Sequence, residues 1–318
     1  MIYAVWLPLL APLFAVPALR HAAAWLAPRR AAWVLLVGTV LLACCSTIAV
    51  SALVVFGLFQ LEAVAAVVDV RPQQISGYAT SALWAAPVAC AALLVGSAQV
   101  VRIMSRHHRE VRAERQAIGP AGSELSVRPD DFPYAYALPG RRGEPGHIVV
   151  SSAMLRTLPP GEREALFAHE RAHLSGGHHR FLAASQLAAR LHPALLGLRD
   201  PLTYALERWA DEDAARAVGD RKLAARAIGR AALAAHDSKS PAARRGAILA
   251  TAGGAVPRRV KALIEREQQD PPLWSRCWRA AVAAALVCGL AGTVAMTADA
   301  VEDLHLNVRI AQGDAVSP

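Results

Sequence analysis

A chain of 318 residues is long enough to bury a sizeable core, but 54% hydrophobic residues and a mean hydropathy of +0.29 are too apolar for an ordinary soluble protein. The net charge of +9 suggests nucleic-acid binding, yet the arginines are spread out with few aromatic residues between them. The five cysteines contain no C-x-x-C pair, so any metal needs other ligands. The composition predicts a membrane protein with no direct nucleic-acid partner.

Four segments without a charged residue are about as long as the roughly 20 residues that an apolar helix needs to cross a bilayer. They are residues 2–19, 31–59, 81–101 and 280–298. We predict three membrane helices within residues 1–101, a large segment over 102–279, and a fourth membrane helix over 280–298. A signal peptide at residues 2–19 fits poorly, because the basic residues follow the apolar run.

The distribution of Lys and Arg predicts the side of the membrane on which each segment lies. The segment 102–279 holds all of the 34 Lys and Arg except Arg20, Arg29, Arg30, Arg71 and Arg309. Segments rich in Lys and Arg are retained in the cytoplasm. We therefore expect a multi-pass plasma-membrane protein with residues 102–279 in the cytoplasm. The N-terminus and a short acidic tail, residues 299–318, are expected outside.

Within the large segment, the basic helical pattern of the third span continues until "GPAGSE" ends it. The runs "YAYAL" and "HIVVS", separated by a turn rich in Gly and Pro, predict a β-hairpin. A short helix over residues 152–158 and a longer one from about Gly161 follow, and further helices are predicted over 201–235 and 257–268. Residues 181–198 are moderately apolar and could rest against the bilayer or against the spans. The fold class is mostly α, with multi-span membrane helices and a cytoplasmic α+β domain.

The sequence "HERAH", from His169 to His173, is an HExxH motif within the longer predicted helix. Histidines four residues apart share a helix face, so both imidazoles can reach one Zn²⁺ ion, with Glu170 beside the open coordination position. Zinc lowers the pKa of its bound water to about 7, and Glu170 could take a proton from that water. The spacing indicates hydrolysis; the alternative is a surface helix with two structural histidines.

Catalytic zinc usually has three protein ligands. The candidate for the third is Glu207, and Asp211 lies four residues later on the same helix face, where one carboxylate could bind metal while the other orients a histidine ligand. Glu212 and Asp213 compete for these roles, although solvated charges are the favoured interpretation for them.

Two further histidines, His178 and His179, follow the Gly176-Gly177 pair. Either could in principle bind the metal. The glycines can end or bend the helix before them, so a supporting or structural role is favoured.

The stretch "ALPGRRGEPGHIVVSSAMLRTLPPGEREALFAHERAHLSGGHH", followed by "ERWADEDAA", resembles bacterial membrane metallopeptidases of the BlaR/MecR type. It is more distantly similar to the HtpX and CAAX-prenyl peptidases, which share HExxH followed by ExxxD. The resemblance covers about residues 134–259 and extends to the four-span layout. It implies a zincin-like metalloendopeptidase domain of gluzincin type. His169, His173 and Glu207 would be the Zn²⁺ ligands, Glu170 the catalytic base and Asp211 a supporting residue.

The resemblance carries further expectations. "HIVVS" would be the strand to which an extended substrate adds edge to edge. Arg259 matches a family arginine that could assist an oxyanion or contact substrate, although an exposed basic helix explains it equally well. Unlike the best-known sensor members, this protein is expected to lack a large penicillin-binding sensor domain after the fourth span. A cytoplasmic winged-helix repressor would be the protein substrate in such a signal-transduction pathway.

Two other functions remain open. A quality-control peptidase that acts on misfolded membrane proteins would use the same site. A non-catalytic signalling or scaffold protein could keep zinc for stability alone, although such a protein has no need of Glu170 as a base.

Overall fold

The computed structural model describes residues 2–61, 64, 67, 79–118, 124–140, 145–236, 256–265 and 273–311. Three long helices come first: α1 (Ile2–Ala23), α2 (Pro28–Leu58) and α3 (Ala79–Ile118). Three strands follow: β1 (Leu125–Arg128), β2 (Ala135–Leu138) and β3 (His147–Ser151). The remaining elements are α4 (Ser152–Thr157), α5 (Pro160–Ser175), α6 (His178–Leu191), a 3-10 helix (Pro193–Leu198), α7 (Arg199–Val218), α8 (Arg221–His236), α9 (Val256–Ile264) and α10 (Leu273–Ala311). The described part is mostly helical, as predicted.

Four helices are long and apolar enough to cross a membrane: Val5–Ala23, Pro28–Leu58, Trp84–Ile118 and Trp278–Asp303. Each predicted span overlaps one of these candidate membrane helices. The helix α3 continues to Ile118, as its basic pattern predicted. The helix α10 runs past the expected end at residue 298 as far as Ala311. The orientation of these helices stays a prediction.

The candidate membrane helices pack around α2, which contacts α1, α3 and α10. Pro12 has no N–H to donate, which leaves the carbonyl of Pro8 free to accept a hydrogen bond from the Ser46 hydroxyl of α2 at 3.0 Å. Parts of α1 and α2 also share a hydrophobic core with the helices that follow the strands. The leucines of this core are at most 1% exposed: Leu19, Leu35, Leu42, Leu195, Leu198, Leu202 and Leu206. The large segment is therefore built onto the candidate membrane helices.

Residues 178–198, made of α6 and the 3-10 helix, form a hairpin inserted among α1, α2 and α3. The Nε2 of His192 lies 3.0 Å from the carbonyl oxygen of Leu9. A Cβ added to Gly96 of α3 would lie 3.5 Å from the carbonyl oxygen of Arg190. Leu9 lies roughly 21 Å along the helix axis from the end of α1 at a rise of 1.5 Å per residue. Of the two expected surroundings, this hairpin rests against the spans.

The three strands form one sheet in the order β1-β3-β2. β2 and β3 are antiparallel, which confirms the predicted hairpin, and β1 is an unpredicted parallel partner of β3. β3 is central and paired on both sides along its length, so the expectation that "HIVVS" offers a free edge to substrate is wrong. Among the described strands, β1 and β2 are the edges.

Residues 201–235 form two helices, whereas the sequence pattern predicted one. Gly219 adopts a left-handed conformation with φ of 71° and ends α7. The next residue, Asp220, then accepts hydrogen bonds from the backbone N–H groups of Lys222 and Leu223 at 2.8 and 3.0 Å. The Gly-Asp pair is thus a helix stop followed by a helix start, a signal that the apolar periodicity concealed.

We expect Gly219→Ala to destabilise the protein by about 1–2 kcal/mol, because a Cβ is disfavoured in the left-handed region. No heavy atom lies within 4 Å of the added Cβ, so the cost comes from the backbone conformation. In the matched control Gly229→Ala, within α8, the new Cβ meets Val260 at an ordinary 3.8 Å. This control should be neutral or stabilising by about 0.5–1 kcal/mol. Thermal unfolding in detergent measures both, and equal losses would contradict the interpretation.

Candidate metal centre

The HExxH motif lies on α5, which is fixed to its neighbours at its first turn. Glu162 is buried, with carboxylate oxygens 4.0 Å from Arg226 and 3.4 Å from Arg230 of α8. Leu166 packs in an apolar cluster with Val150 of β3 and residues of α4 and α8. These contacts hold α5 against the sheet and α8, so that the motif is buried instead of lying on the surface.

His169, His173 and Glu207 converge on one point, where their ligand atoms lie within 4.8 Å of one another. The two Nε2 atoms are 3.1 Å apart, and each lies 3.6 Å from a carboxylate oxygen of Glu207. Ligand atoms bound tetrahedrally to one zinc ion at 2.0–2.1 Å are about 3.3 Å apart. The structure therefore brings two histidines from α5 and a carboxylate from α7 to the spacing that a single ion requires.

The protonation states of His173 and Glu207 suit a metal. Burial lowers the pKa of His173 to about 4, so its imidazole is neutral. Burial favours a lower pKa for His169 too, but the carboxylates of Asp211 and Glu207 outweigh burial and raise its pKa to about 10, so a metal ion must displace a proton from this imidazole. Burial favours a higher pKa for Glu207, but the positive charges of Arg259 and His169 outweigh burial and hold the pKa below its ordinary value. Metals bind neutral imidazoles and ionised carboxylates. Two nitrogens with one oxygen fit Zn²⁺ better than Mg²⁺ or Ca²⁺, which prefer oxygen ligands.

Asp211 and Arg259 support this triad from behind. Asp211 Oδ1 lies 3.1 Å from His169 Nδ1. Arg259 donates from Nε and Nη2 to Asp211 at 2.8 and 2.6 Å, and its Nη1 lies 2.7 Å from Glu207 Oε2. Arg259 is only 7% exposed, so the alternative of an exposed basic helix is wrong at this position. All three guanidinium nitrogens face carboxylates of α7, which favours an orienting role over oxyanion stabilisation.

We expect Arg259→Met to destabilise the metal-free protein by about 3–5 kcal/mol, because it removes the arginine that pairs with both buried carboxylates, Glu207 and Asp211. The control is Arg258→Met. Arg258 is exposed and stacks over the Tyr204 ring at 4.7 Å, a contact that contributes about 0.5–1 kcal/mol at exposed sites. Denaturant unfolding in detergent compares the two. A loss for Arg258→Met as large as for Arg259→Met would contradict this account.

Glu170 belongs to the ligand helix α5, which contacts β2 and β3 of the sheet. It is 7% exposed, and burial raises its pKa to about 7. The backbone of Ala137 in β2 and the charges of His169 and Arg259 favour a lower pKa, but burial outweighs them. A carboxylate whose pKa lies near neutrality suits a general base.

The family model of Peptidase family M48 matches residues 97–203. The match covers about a third of the chain, includes His169, Glu170 and His173, and ends just before Glu207. No curated protein and no solved structure matches the chain significantly. The M48 match and the triad together support a metallopeptidase domain attached to candidate membrane helices. The closer relationship to BlaR/MecR stays a prediction.

The two competing carboxylates, Glu212 and Asp213, are engaged elsewhere. Glu212 accepts a hydrogen bond from Arg221 Nη2 at 2.8 Å. Asp213 accepts one from the indole N–H of Trp209 at 3.0 Å. Both are partly exposed and paired with other side chains, and neither belongs to the group whose ligand atoms converge.

Of the two additional histidines, the structure places one against the site. His178 is 1% exposed, and its Nδ1 lies 2.8 Å from His173 Nδ1. That nitrogen is on the opposite side of the His173 ring from Nε2, which faces the triad. His178 is therefore not a fourth ligand, and neither it nor His179 belongs to the group whose ligand atoms converge.

Proposed function

We propose that the protein is an integral membrane zinc metalloendopeptidase of gluzincin type. It cleaves a protein substrate at the cytoplasmic face of a bacterial plasma membrane. The observation that carries the proposal is the convergence of His169, His173 and Glu207 at tetrahedral spacing with Glu170 buried beside them. The M48 match supports the peptidase chemistry, and the distribution of basic residues supports the cytoplasmic site.

His169, His173 and Glu207 would hold the zinc. When bound, zinc would polarise the scissile carbonyl and make water acidic enough to attack at neutral pH. Glu170 takes the proton from the attacking water and then delivers it to the leaving amine. Arg259 keeps Glu207 and Asp211 ionised, and Asp211 orients His169 through its Nδ1.

The free edge of β2 is the candidate site for the substrate backbone. Ser151 of β3 donates its N–H to the carbonyl of Tyr134. In an antiparallel pair the hydrogen-bonding residues alternate, so the backbone groups of Ala135 and Ala137 face away from β3. The helix that carries Glu170 contacts β2, which supports a substrate strand beside the base. An extended substrate would add to β2, in place of "HIVVS", and lie across the metal position.

Metal dependence tests the activity directly. The purified full-length protein in detergent should contain zinc and cleave an unfolded protein such as casein. A chelator should stop cleavage, and added zinc should restore it. A purified protein without zinc would overturn the proposal.

The identity of the substrate distinguishes a signalling peptidase from a quality-control peptidase. A signalling peptidase cuts one target, for which the resemblance to BlaR/MecR suggests a winged-helix repressor, whereas a quality-control peptidase cuts many unfolded membrane proteins. New protein N-termini should be compared between cells with the wild type and cells with Glu170→Gln. One substrate favours signalling and many favour quality control. No difference favours a non-catalytic scaffold.

The proposed orientation has its own test. In intact spheroplasts, a protease added outside should leave residues 102–279 uncut. The same protease should cut them in inverted membrane vesicles. The reverse pattern would contradict the cytoplasmic site.

A further inference from the structure

The two histidine ligands differ in what their second ring nitrogen contacts. His169 Nδ1 faces the carboxylate of Asp211 at 3.1 Å, whereas His173 Nδ1 faces Nδ1 of another imidazole, His178, at 2.8 Å. A metal-binding histidine usually donates its other N–H to a carboxylate, a backbone carbonyl or water. The proposed catalytic steps leave His178 without a role, although it is buried and in direct contact with a ligand.

The positions of the protons follow from the contact. If His173 binds zinc through Nε2, its proton must lie on Nδ1. A second proton between two Nδ1 atoms 2.8 Å apart would remove the acceptor, so His178 Nδ1 must be unprotonated. His178 then carries its own proton on Nε2. The contact therefore selects one tautomer for each ring.

The residues around His178 fix the position of its ring. Gly177 adopts a left-handed conformation with φ of 63° and turns the chain between α5 and α6. A Cβ on Gly176 would lie 2.5 Å from His178 Nε2, so only glycine leaves room for the imidazole there. The His178 ring also packs against the Trp209 ring of α7, with 4.6 Å between centroids. The glycine pair and Trp209 together fix the ring against His173.

We propose that His178 is a positioning residue for the metal: it accepts a hydrogen bond from His173 Nδ1 and so fixes the tautomer and orientation of that ligand. The inference rests on the proposed zinc site. It gives the two ligands unlike supports, because His169 is backed by an anion and His173 by a neutral ring. A neutral acceptor adds less electron density to its ligand than a carboxylate does, so the ion keeps more of its Lewis acidity.

The test uses the full-length protein in detergent and three variants. His178→Phe keeps a ring of similar size but has no acceptor, and His178→Gln offers a carbonyl oxygen as a substitute acceptor. His179→Phe alters the adjacent histidine, which has no contact with the ligands. Zinc affinity is measured by competition with a chelator. The absorption spectrum of the cobalt-substituted protein reports ligand geometry, and the melting temperature of the metal-free protein reports stability.

We expect His178→Phe to weaken zinc binding by about 10–100-fold, as the loss of an outer partner of a metal ligand does elsewhere. It should also change the cobalt spectrum. His178→Gln should recover part of the affinity, and His179→Phe should leave it unchanged.

A purely structural role would lower the metal-free melting temperature of His178→Phe and leave its zinc affinity intact, which would overturn the inference. Equal affinities for His178→Gln and His178→Phe would also overturn it. Should His178→Phe fail to fold, His178→Ala takes its place, and His178→Gln must bind zinc more tightly than His178→Ala. If the wild type binds no zinc, the proposed function itself fails. If the wild type binds zinc and His178→Phe binds it equally well, only this inference fails.

Discussion

Glu170→Gln is expected to lower kcat for peptide cleavage by about 10²–10⁴-fold, the usual contribution of a general base, and to leave zinc bound. Glutamine fills the same volume, but it cannot take a proton from water. Metal content and the cleavage rate of the purified protein measure the two effects separately.

The control for this variant is Glu164→Gln, an exposed position on the same helix α5. It should leave both cleavage and zinc content unchanged. Undiminished proteolysis by Glu170→Gln would remove Glu170 from the mechanism. Loss of zinc from that variant would indicate a structural role in the site.

Glu207→Ala is expected to weaken zinc binding by more than the roughly 100-fold that loss of an outer partner can cause, because it removes a ligand itself. The variant also leaves Arg259 with Asp211 as its remaining carboxylate partner among the described contacts. Zinc affinity and cleavage should therefore fall together. Added zinc at high concentration should restore part of both.

Asp200→Asn, in the exposed first turn of the same helix α7, is the control for Glu207→Ala. It changes a carboxylate of α7 far from the triad and should keep the wild-type affinity. Glu207→Gln keeps the shape and an oxygen ligand without the charge, so its affinity should lie between those of Glu207→Ala and the wild type. Full zinc content in Glu207→Ala would show that the third ligand lies elsewhere.

The residues of the site were predictable from the sequence where helix geometry alone brings their side chains together. The four-residue spacing of His169 and His173 puts both on one face of any helix, and the same holds for Glu207 and Asp211. The environment of Arg259 was not predictable, because its carboxylate partners lie on a helix 48 residues earlier in the chain. The support from His178 depends on a left-handed glycine turn that no periodicity reveals.

The fold shows the same division between local and distant contacts. Charge-free length suffices to predict the four candidate membrane helices. The order of the sheet depends instead on which strands distant in sequence pair with each other. β1 pairs with β3, although β2 lies between them in the chain. An apolar segment such as residues 181–198 has the same composition whether lipid or protein covers it, so its insertion among the spans could not be deduced.

The shared leucine core determines which part of the chain can fold on its own. Leu206 is 1% exposed in the core that α7 forms with α1 and α2, and the next residue in the chain is the candidate ligand Glu207. A fragment that began at residue 102 would lose half of this core and expose Leu195, Leu198, Leu202 and Leu206 to water. Under the proposed function, the smallest active unit therefore includes the apolar helices, and the lipid expected around them is a solvent in which the whole protein folds.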